Sequence, residues 1–327
     1  MRPYGDGVSN PEFRRQLSEA ILGPHIYTRD SLMDATGASV ELGDDLWLSL
    51  GFPLLDDEAV AYGASDAEAL QSLHGLLELE LVERDTLMSM ARVMGQAMAR
   101  LASAQVQMFD EGLRAIVNDD TEGVDDEARA AITELLVPGV ERFVSYCYRR
   151  HLLAALNRML DEGDAQPVIG FVDVVDFTRT TRRLDADELA DIVGRFERHV
   201  YETITNSGAR LRKQLGDGVM FDAPDAATAA GAALALVMRC AEDPRLAGAR
   251  GGLAIGPILE MDGDIYGETV NRASRLAALA HPNTVVADRS IGDTVRGVGG
   301  FEVKRLSPRQ VKGLGSIEVS VIRPAII

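Results

Sequence analysis

The chain has little cysteine and no long apolar run. Cys147 and Cys240 are the only cysteines among its 327 residues. Two cysteines are too few for a disulfide framework or a structural zinc site, so we expect a reducing compartment, the cytoplasm. No run of about 18 apolar residues occurs, and the N-terminal stretch MRPYGDGVSNPEF lacks the apolar segment of a secretory signal. The sequence therefore predicts a cytoplasmic globular protein with no transmembrane segment.

Lysine is also scarce, and the charge is unevenly distributed. All three lysines lie in the second half of the chain, whereas residues 1–165 contain 13 arginines, no lysine and 30 acidic residues. The first half therefore carries a net charge of −17 out of the −18 of the whole chain. Because this acidic half repels phosphate backbones, we expect no nucleic-acid partner.

A polar segment, DEGDAQ, separates two regions whose apolar residues follow different periods. We predict an all-helical regulatory domain over residues 1–160, a linker over 161–166 and an α/β domain over 167–327. In the second region strands alternate with helices, and hairpins join some neighbouring strands. This pattern is typical of an α/β (α+β) sandwich with a mixed sheet.

Part of the helical region has the spacing of a helix–turn–helix, with its turn at Gly37. The segment YTRDSLMDATGASVELGDDLWLSLGFP resembles the DNA-reading module of MerR-type regulators. Its second helix, however, carries Glu41, Asp44 and Asp45, where a reader of the major groove needs Arg, Lys, Asn or Gln. We therefore predict a packing module, and keep a transcription factor with a fused sensor domain as an alternative.

A long helix is predicted from Glu78 to Met108, with apolar residues at alternating spacings of three and four. This stripe fits either the core of one subunit or a seam between two subunits. Its members are Leu87, Met90, Met94, Ala97, Leu101, Ala104 and Met108.

Two acidic clusters in the second half are candidates for catalytic chemistry. The segment FVDVVDFT places Asp173 in a buried strand, where an unpaired carboxylate is costly. The segment KQLGDG is a Gly-Asp-Gly hairpin that presents Asp217. Each acid alone could be a solvated carboxylate. Together, two carboxylates from adjacent strands would form a hard, oxygen-rich site for Mg²⁺ or Mn²⁺ with phosphate.

The third cluster is DIYGETVNRASR, in which Asn271 and Arg275 are four residues apart and so share one face of a helix. In this order and spacing, the three clusters resemble the class III nucleotidyl cyclase catalytic domain over about residues 166–323. The resemblance implies a ferredoxin-like fold that is active only as a dimer, with its sites at the subunit interface.

The resemblance also implies a role for each matching residue. Asp173 and Asp217 would hold two Mg²⁺ or Mn²⁺ ions per site, while Phe177 and Thr178 lead into a helix whose backbone N–H groups can take phosphate oxygens. One departure is Asp176, where the family commonly has glycine. We predict that it caps the following turn or meets Arg179 rather than binding metal. The remaining matches are Lys213 and Asp264 for adenine recognition, Asn271 and Arg275 for the ribose and the transition-state phosphate, and Lys312 for the triphosphate tail.

The chemistry of the bases agrees with this assignment. Adenine offers a donor at its 6-amino group and an acceptor at N1, which suit the carboxylate of Asp264 and the ammonium of Lys213. Guanine reverses that pattern, so the pair should select ATP over GTP. The sequence therefore predicts a homodimeric adenylate cyclase, in which the ribose 3′ hydroxyl attacks the α-phosphorus and pyrophosphate leaves. The alternative is a catalytically silent nucleotide-binding regulator on the same fold.

The helical region resembles the autoinhibitory, pH-responsive N-terminal domain of soluble actinobacterial adenylate cyclases. The resemblance rests on YTRDSLMDATG, on WLSLGFP and on the helix before the linker. His151 lies within an apolar stripe of that helix. It is either a core histidine or a sensor whose protonation disfavours burial. His199 is a rival sensor, and a small ligand or lipid in the helical domain is a further candidate partner.

Overall fold

The structure, a computed structural model, describes residues 11–117, 126–161, 166–182, 184–311, 313 and 315–325. The chain divides into two compact units, Met1–Asp161 and Glu162–Ile327. The acidic segment 118–127, for which the sequence predicts a loop, lies mostly outside the described residues. Within the described ranges, no helix is both long and apolar enough to cross a membrane.

The described part of the first unit is built from helices around one apolar core. That core contains Leu32, Leu46, Tyr62, Leu70 and Leu87, all at most 5% exposed. A single β-bridge between Tyr27 and Tyr62 joins two connecting segments. The helices are α1 (Pro11–Leu22), α2 (Arg29–Thr36), α3 (Val40–Ser49), α4 (Ala64–Glu78), α5 (Arg84–Val117) and α6 (Asp126–Asp161).

The predicted helix–turn–helix is present as α2 and α3. Gly37 ends α2 with a left-handed φ of 73°, which glycine adopts without strain. Two of the acids that argued against DNA reading have partners within the unit. Asp44 pairs with Arg29, and Asp45 lies 2.6 Å from Arg84. These acids therefore contribute to packing of the module.

The prediction of one helix from Glu78 to Met108 is wrong at its start. Helix α4 ends at Glu78, Glu80 takes a left-handed φ of 52°, and α5 begins only at Arg84. No glycine or proline marks this break in the sequence. Of the predicted stripe, Leu87 is fully buried, whereas Met94 and Met108 are 49% and 57% exposed. Beyond Leu87, most of the stripe is not core within the described part of one chain.

The second unit contains a seven-stranded mixed sheet in the order β2-β3-β1-β4-β7-β11-β8. Among the described strand pairs of this sheet, only β4–β7 is parallel. Two further hairpins, β5–β6 and β9–β10, stand apart from the sheet. The strands are β1 (Val168–Val174), β2 (Arg210–Gln214), β3 (Gly218–Ala223), β4 (Ala249–Ile255), β5 (Leu259–Met261), β6 (Asp264–Tyr266), β7 (Val285–Asp288), β8 (Phe301–Arg305), β9 (Arg309–Val311), β10 (Gly315–Ile317) and β11 (Val319–Pro324).

Helices cover both faces of this sheet. One face packs on α8, α9 and α11 through residues such as Phe196 and Leu236, and the other packs on α10 through Leu276. The close approach of α10 requires Gly252, because a Cβ there would lie 2.1 Å from the backbone nitrogen of Ala277. The helices are α7 (Phe177–Thr181), α8 (Ala186–Ile204), α9 (Ala226–Glu242), α10 (Glu268–Leu279) and α11 (Arg289–Val295).

The predicted fold class, an α/β domain after an all-helical region, is confirmed, but two details of the strands are not. The apolar segment GGLAIGPILEM predicts one strand, but it is split because Pro257 has no N–H to donate to a ladder, so β4 ends at Ile255. At the end of the chain the segments FEVKRL and IEVSVIRP predict two closing strands, and the β9–β10 hairpin, which ends at Ile317, was not predicted.

Candidate active site

The two predicted metal-binding carboxylates lie at one end of β1. Asp173 is paired in register with Gly218 of β3 on one side and Arg250 of β4 on the other. Asp217 directly precedes Gly218 in the β2–β3 turn, and its backbone carbonyl accepts a hydrogen bond from the N–H of Val174 at 2.8 Å. The hairpin therefore places Asp217 beside the end of the strand that carries Asp173.

The electrostatics of Asp173 favour a cation at this end of the sheet. Burial raises the pKa of the Asp173 carboxyl, the hydrogen bond from Arg250 lowers it, and the charge of Asp217 raises it again. The net shift of the pKa is upward. Arg250 Nη2 lies 3.1 Å from Asp173 Oδ2, and because the net shift is still upward, this contact offsets only part of the cost of ionising the buried carboxyl. A bound cation would favour the ionised carboxylate.

The donor set fits Mg²⁺ or Mn²⁺ together with a phosphate substrate. Carboxylate oxygens are hard ligands, and Mg²⁺ is usually held by one or two carboxylates plus waters and substrate phosphates. Within the described ranges, no group of three or more His, Cys, Asp or Glu side chains could hold a metal ion. Two carboxylates, Asp173 and Asp217, are the number that such a Mg²⁺ site takes from the protein when substrate oxygens supply further ligands.

The two predicted adenine-reading residues are in direct contact. Lys213 lies on β2, Asp264 begins β6, and Lys213 Nζ is 2.6 Å from Asp264 Oδ2. Burial raises the pKa of Asp264, but hydrogen bonds from Lys213 and from the N–H of Ile265 lower it, and the net shift is downward. Asp264 is therefore held as a carboxylate, which can accept hydrogen bonds but not donate them.

Sequence reasoning missed the arginines that fix the hairpin carrying Asp264. Arg212, with 7% of its side chain exposed, contacts both Asp222 of β3 and Glu260 of β5. Arg210 also contacts Glu260, at 3.1 Å. These contacts tie the β5–β6 hairpin to β2, the strand of Lys213. The two arginines at alternate positions of β2, in the segment RLRK, are the sequence signal that could have indicated this contact with the β5–β6 hairpin.

Asn271 and Arg275 lie one turn apart on α10, as predicted. Asn271 is exposed, while Arg275 is partly buried. Arg275 Nη1 is buried and has no hydrogen-bond partner among the described residues. A Cβ at Gly313 would lie 2.7 Å from that nitrogen, so Gly313 lies directly against the guanidinium. A buried, unsatisfied guanidinium nitrogen is suited to an anionic oxygen such as that of a phosphate.

Three further residues were predicted to contact the substrate: Phe177, Thr178 and Lys312. Phe177 begins α7 and packs against the core beneath the sheet. Only the backbone of Thr178 is described, within α7, and Lys312 lies outside the described residues.

The two candidate sensors differ in their surroundings. His151 is exposed on α6, so the interpretation as a core histidine is wrong for the described part of one chain. His199 Nε2 lies 2.9 Å from Asp243 Oδ2, and the Asp243 side chain is 7% exposed. His199 Nδ1 is buried, with no hydrogen-bond partner in the described ranges.

Asp176 provides a test of backbone strain next to the site. It has a left-handed φ of 55° and forms the predicted pair with Arg179, at 2.7 Å. Only glycine takes this conformation without cost, and the pair is exposed and so contributes little. We expect Asp176→Gly to raise the free energy of unfolding by about 0.5–1 kcal/mol in urea titration. Arg179→Gln, which removes only the pair, should change it by less than about 0.5 kcal/mol, and a clear loss of stability in Asp176→Gly would contradict the strain.

Several adenylate cyclases are similar to this chain over most of its length. No family model matches the sequence. An adenylate cyclase of Streptomyces coelicolor is 36% identical over 308 residues, which cover 88% of this chain and 80% of that protein. An adenylate cyclase of Glutamicibacter nicotianae is 32% identical over 321 residues, or 91% and 79% of the two chains. A pH-sensitive adenylate cyclase of Mycobacterium tuberculosis is 27% identical over 320 residues, or 92% and 79%.

Solved cyclase structures match the second half of the chain. The adenylyl cyclase CyaB of Pseudomonas aeruginosa covers 49% of this chain and 95% of its own, with a TM-score of 0.42 and 19% identity. The mixed sheet with helices on both faces is the α/β architecture expected of a nucleotidyl cyclase domain. With relatives more than 30% identical over most of both chains, the chain belongs to the adenylate cyclase family.

Proposed function

We propose that this protein converts ATP to 3′,5′-cyclic AMP and pyrophosphate at the interface of a homodimer, and that its helical unit regulates the reaction. The observation that carries the proposal is the contact between Lys213 and Asp264, 2.6 Å apart on neighbouring elements. A carboxylate beside an ammonium matches the 6-amino group and N1 of adenine and opposes both corresponding groups of guanine.

The residues of the chain divide the work of cyclisation. Lys213 donates to adenine N1 and Asp264 accepts from the 6-amino group, which orients the nucleoside. Asn271 orients the ribose, and Arg275 donates to the phosphate oxygens as negative charge develops on them. Removing a donor of this kind typically costs about a hundredfold or more in rate.

Asp173 and Asp217 hold two Mg²⁺ or Mn²⁺ ions in this proposal. When bound, such ions lower the pKa of the attacking 3′ hydroxyl and neutralise the leaving pyrophosphate. Arg250 contributes by keeping one oxygen of Asp173 engaged at 3.1 Å, which restricts the orientation of the carboxylate. The other oxygen, Oδ1, lies beside Gly218, where a Cβ would be 3.6 Å away.

The exposed stripe of α5 supports the homodimer. Its members Met90, Met94 and Met108 are between 40% and 57% exposed although methionine is an apolar residue. Their heptad-like spacing is that of a seam between helices. A second copy of α5 would cover this stripe, and a dimer also agrees with a catalytic site that is shared between subunits.

Regulation of the reaction by the helical unit rests on a separate observation. Its support is the likeness to a relative named pH-sensitive adenylate cyclase, which extends over 92% of this chain. The candidate sensors predicted from the sequence differ in support, because His199 contacts Asp243 whereas His151 is exposed in the described part of one chain. A small ligand or lipid in the helical unit stays a prediction.

The first experiment is cyclic AMP formation by the full-length chain from Mn²⁺-ATP between acid and mildly alkaline pH. We expect product at every pH and a steep rise on acidification, since protonation of a sensor histidine should favour the active arrangement. GTP in place of ATP should give little product. A flat pH profile would keep the cyclase and remove the sensor. No product at any pH would leave the silent nucleotide-binding regulator.

A further inference from the structure

Arg272 and Asp288 form an ion pair to which the proposed reaction assigns no role. Arg272 lies on α10 between Asn271 and Arg275, and Asp288 is the last residue of β7. Arg272 Nε is 3.3 Å from Asp288 Oδ2, and the two side chains are only 24% and 14% exposed. Charged side chains are rarely this covered unless they are paired, so the pair is a built feature of the fold.

Both members of the pair also bind the same residue of β4. Asp288 Oδ2 accepts the N–H of Ile255 at 3.1 Å, and Arg272 Nη2 donates to the Ile255 carbonyl at 3.0 Å. The β4–β7 ladder has its last register pair at Leu253 and Ala287. Side chains thus continue the pairing where the ladder stops, and they include α10 in it. We name the set formed by Arg272, Asp288 and Ile255 the helix anchor.

A second contact fixes the same turn of α10. Thr269 Oγ1 donates to the carbonyl of Pro257 at 2.8 Å, two residues after Ile255. A Cβ at Gly256 would lie 2.7 Å from Thr269 Oγ1 and 3.3 Å from Arg272 Nη2. Glycine at this position therefore allows the start of α10 to sit directly on the end of β4.

The anchor and the proposed catalytic residues share the first two turns of α10. Residues 271, 272 and 275 are within four positions of one another, so a shift of this segment moves all three side chains together. Misplacement of a reacting group by about 1 Å can cost on the order of a hundredfold in rate. Burial of Asp288 also makes loss of its partner costly, because an uncompensated buried charge would remain.

We propose that Arg272 and Asp288 are positioning residues that hold Asn271 and Arg275 in the geometry that cyclisation requires. They act through α10 and do not touch the substrate. The proposal rests on the proposed cyclase function, and it makes the junction of β4, β7 and α10 a determinant of turnover rather than of nucleotide binding.

The test compares Asp288→Asn, Arg272→Gln and the double variant with the wild-type full-length chain. We expect each single variant to lower kcat for Mn²⁺-ATP by about tenfold or more while KM changes less than about twofold. The double variant should be no slower than the worse single variant, since both remove one anchor. Glu268→Gln is the matched control. Glu268 is 3.8 Å from Arg272 but 75% exposed, so kcat should stay within about twofold of the wild-type value.

Two further measurements separate positioning from general loss of stability. In an Arg275→Lys background, Asp288→Asn should lower kcat by clearly less than it does alone, because the residue it positions is already altered. Hydrogen exchange should be faster in residues 268–276 of the variants and unchanged in α8 and α9. A kcat within twofold of wild type, or a loss shown only in KM, would overturn the proposal. Hydrogen exchange can be measured without turnover. If the wild type makes no cyclic AMP, the proposed function fails. Unchanged hydrogen exchange of α10 in the variants would then overturn the helix anchor as well.

Discussion

Asp173→Asn is expected to lower cyclic AMP formation at least about a hundredfold, because an amide keeps the size of the side chain but removes the charge that holds a divalent cation. The measurement is kcat/KM with Mn²⁺-ATP. Asp176→Asn is the matched control. It changes an acid three residues away whose side chain pairs with Arg179, and we expect its activity to stay within about twofold of wild type.

A readout without turnover accompanies this comparison. Burial and the charge of Asp217 raise the pKa of Asp173, so ionisation of this carboxyl costs free energy in the folded chain, and a bound cation should recover part of that free energy. We therefore expect Mn²⁺ to raise the thermal midpoint of the wild type and of Asp176→Asn, but not of Asp173→Asn. An Asp173→Asn variant that keeps both the activity and the Mn²⁺ response would refute the metal site.

The same variant tests whether the site is shared between subunits. Asp173→Asn and Arg275→Ala should each be inactive alone. If one site takes its carboxylates and its arginine from different chains, the mixed dimer contains one intact site. Random pairing of equal amounts then restores about a quarter of the wild-type activity. A site within one chain predicts no recovery on mixing.

Much of the fold could be predicted because its local signals agree with its packing. The sequence predicts helices over residues 11–22, 226–241 and 268–280, and α1, α9 and α10 have these bounds to within one residue. The Gly-Asp-Gly turn correctly placed a hairpin at β2–β3. The breaks between α4 and α5 and between β4 and β5 were missed. At Glu80 a residue without special turn propensity takes a left-handed conformation, so tertiary packing decides there.

In the candidate site, too, some features could be predicted from the sequence and others depend on tertiary packing. The resemblance implied a joint role of Lys213 and Asp264 in adenine recognition, and the structure places the two side chains 2.6 Å apart. The partners of the site residues were not foreseen. Arg250 meets Asp173 only because β4 pairs with β1 in one register, and Arg272 meets Asp288 only because α10 crosses β4 at Gly252. Contacts of this kind depend on sheet register and helix placement, which no local pattern encodes.

Exchange of the two base-reading residues should change which nucleotide the protein prefers. Lys213→Glu combined with Asp264→Ser presents an acceptor where guanine has its N1–H and a donor where it has O6. A site built to hydrogen-bond one partner rejects an analogue that lacks the matching group by about 10⁴-fold or more. We expect kcat/KM for ATP to fall at least about a thousandfold and the GTP-to-ATP ratio to exceed one, measured with both nucleotides under the same Mn²⁺ concentration.

The controls separate base reading from damage to the hairpin. Lys213→Ala should lose activity with ATP without gaining GTP, because it removes a donor and supplies no acceptor. Glu260→Gln changes another carboxylate of the same hairpin, one that contacts Arg210 and Arg212, and should keep the selectivity of the wild type. A double variant that still prefers ATP would show that the base is read elsewhere. The 2.6 Å contact would then be an ordinary surface ion pair, worth little to function.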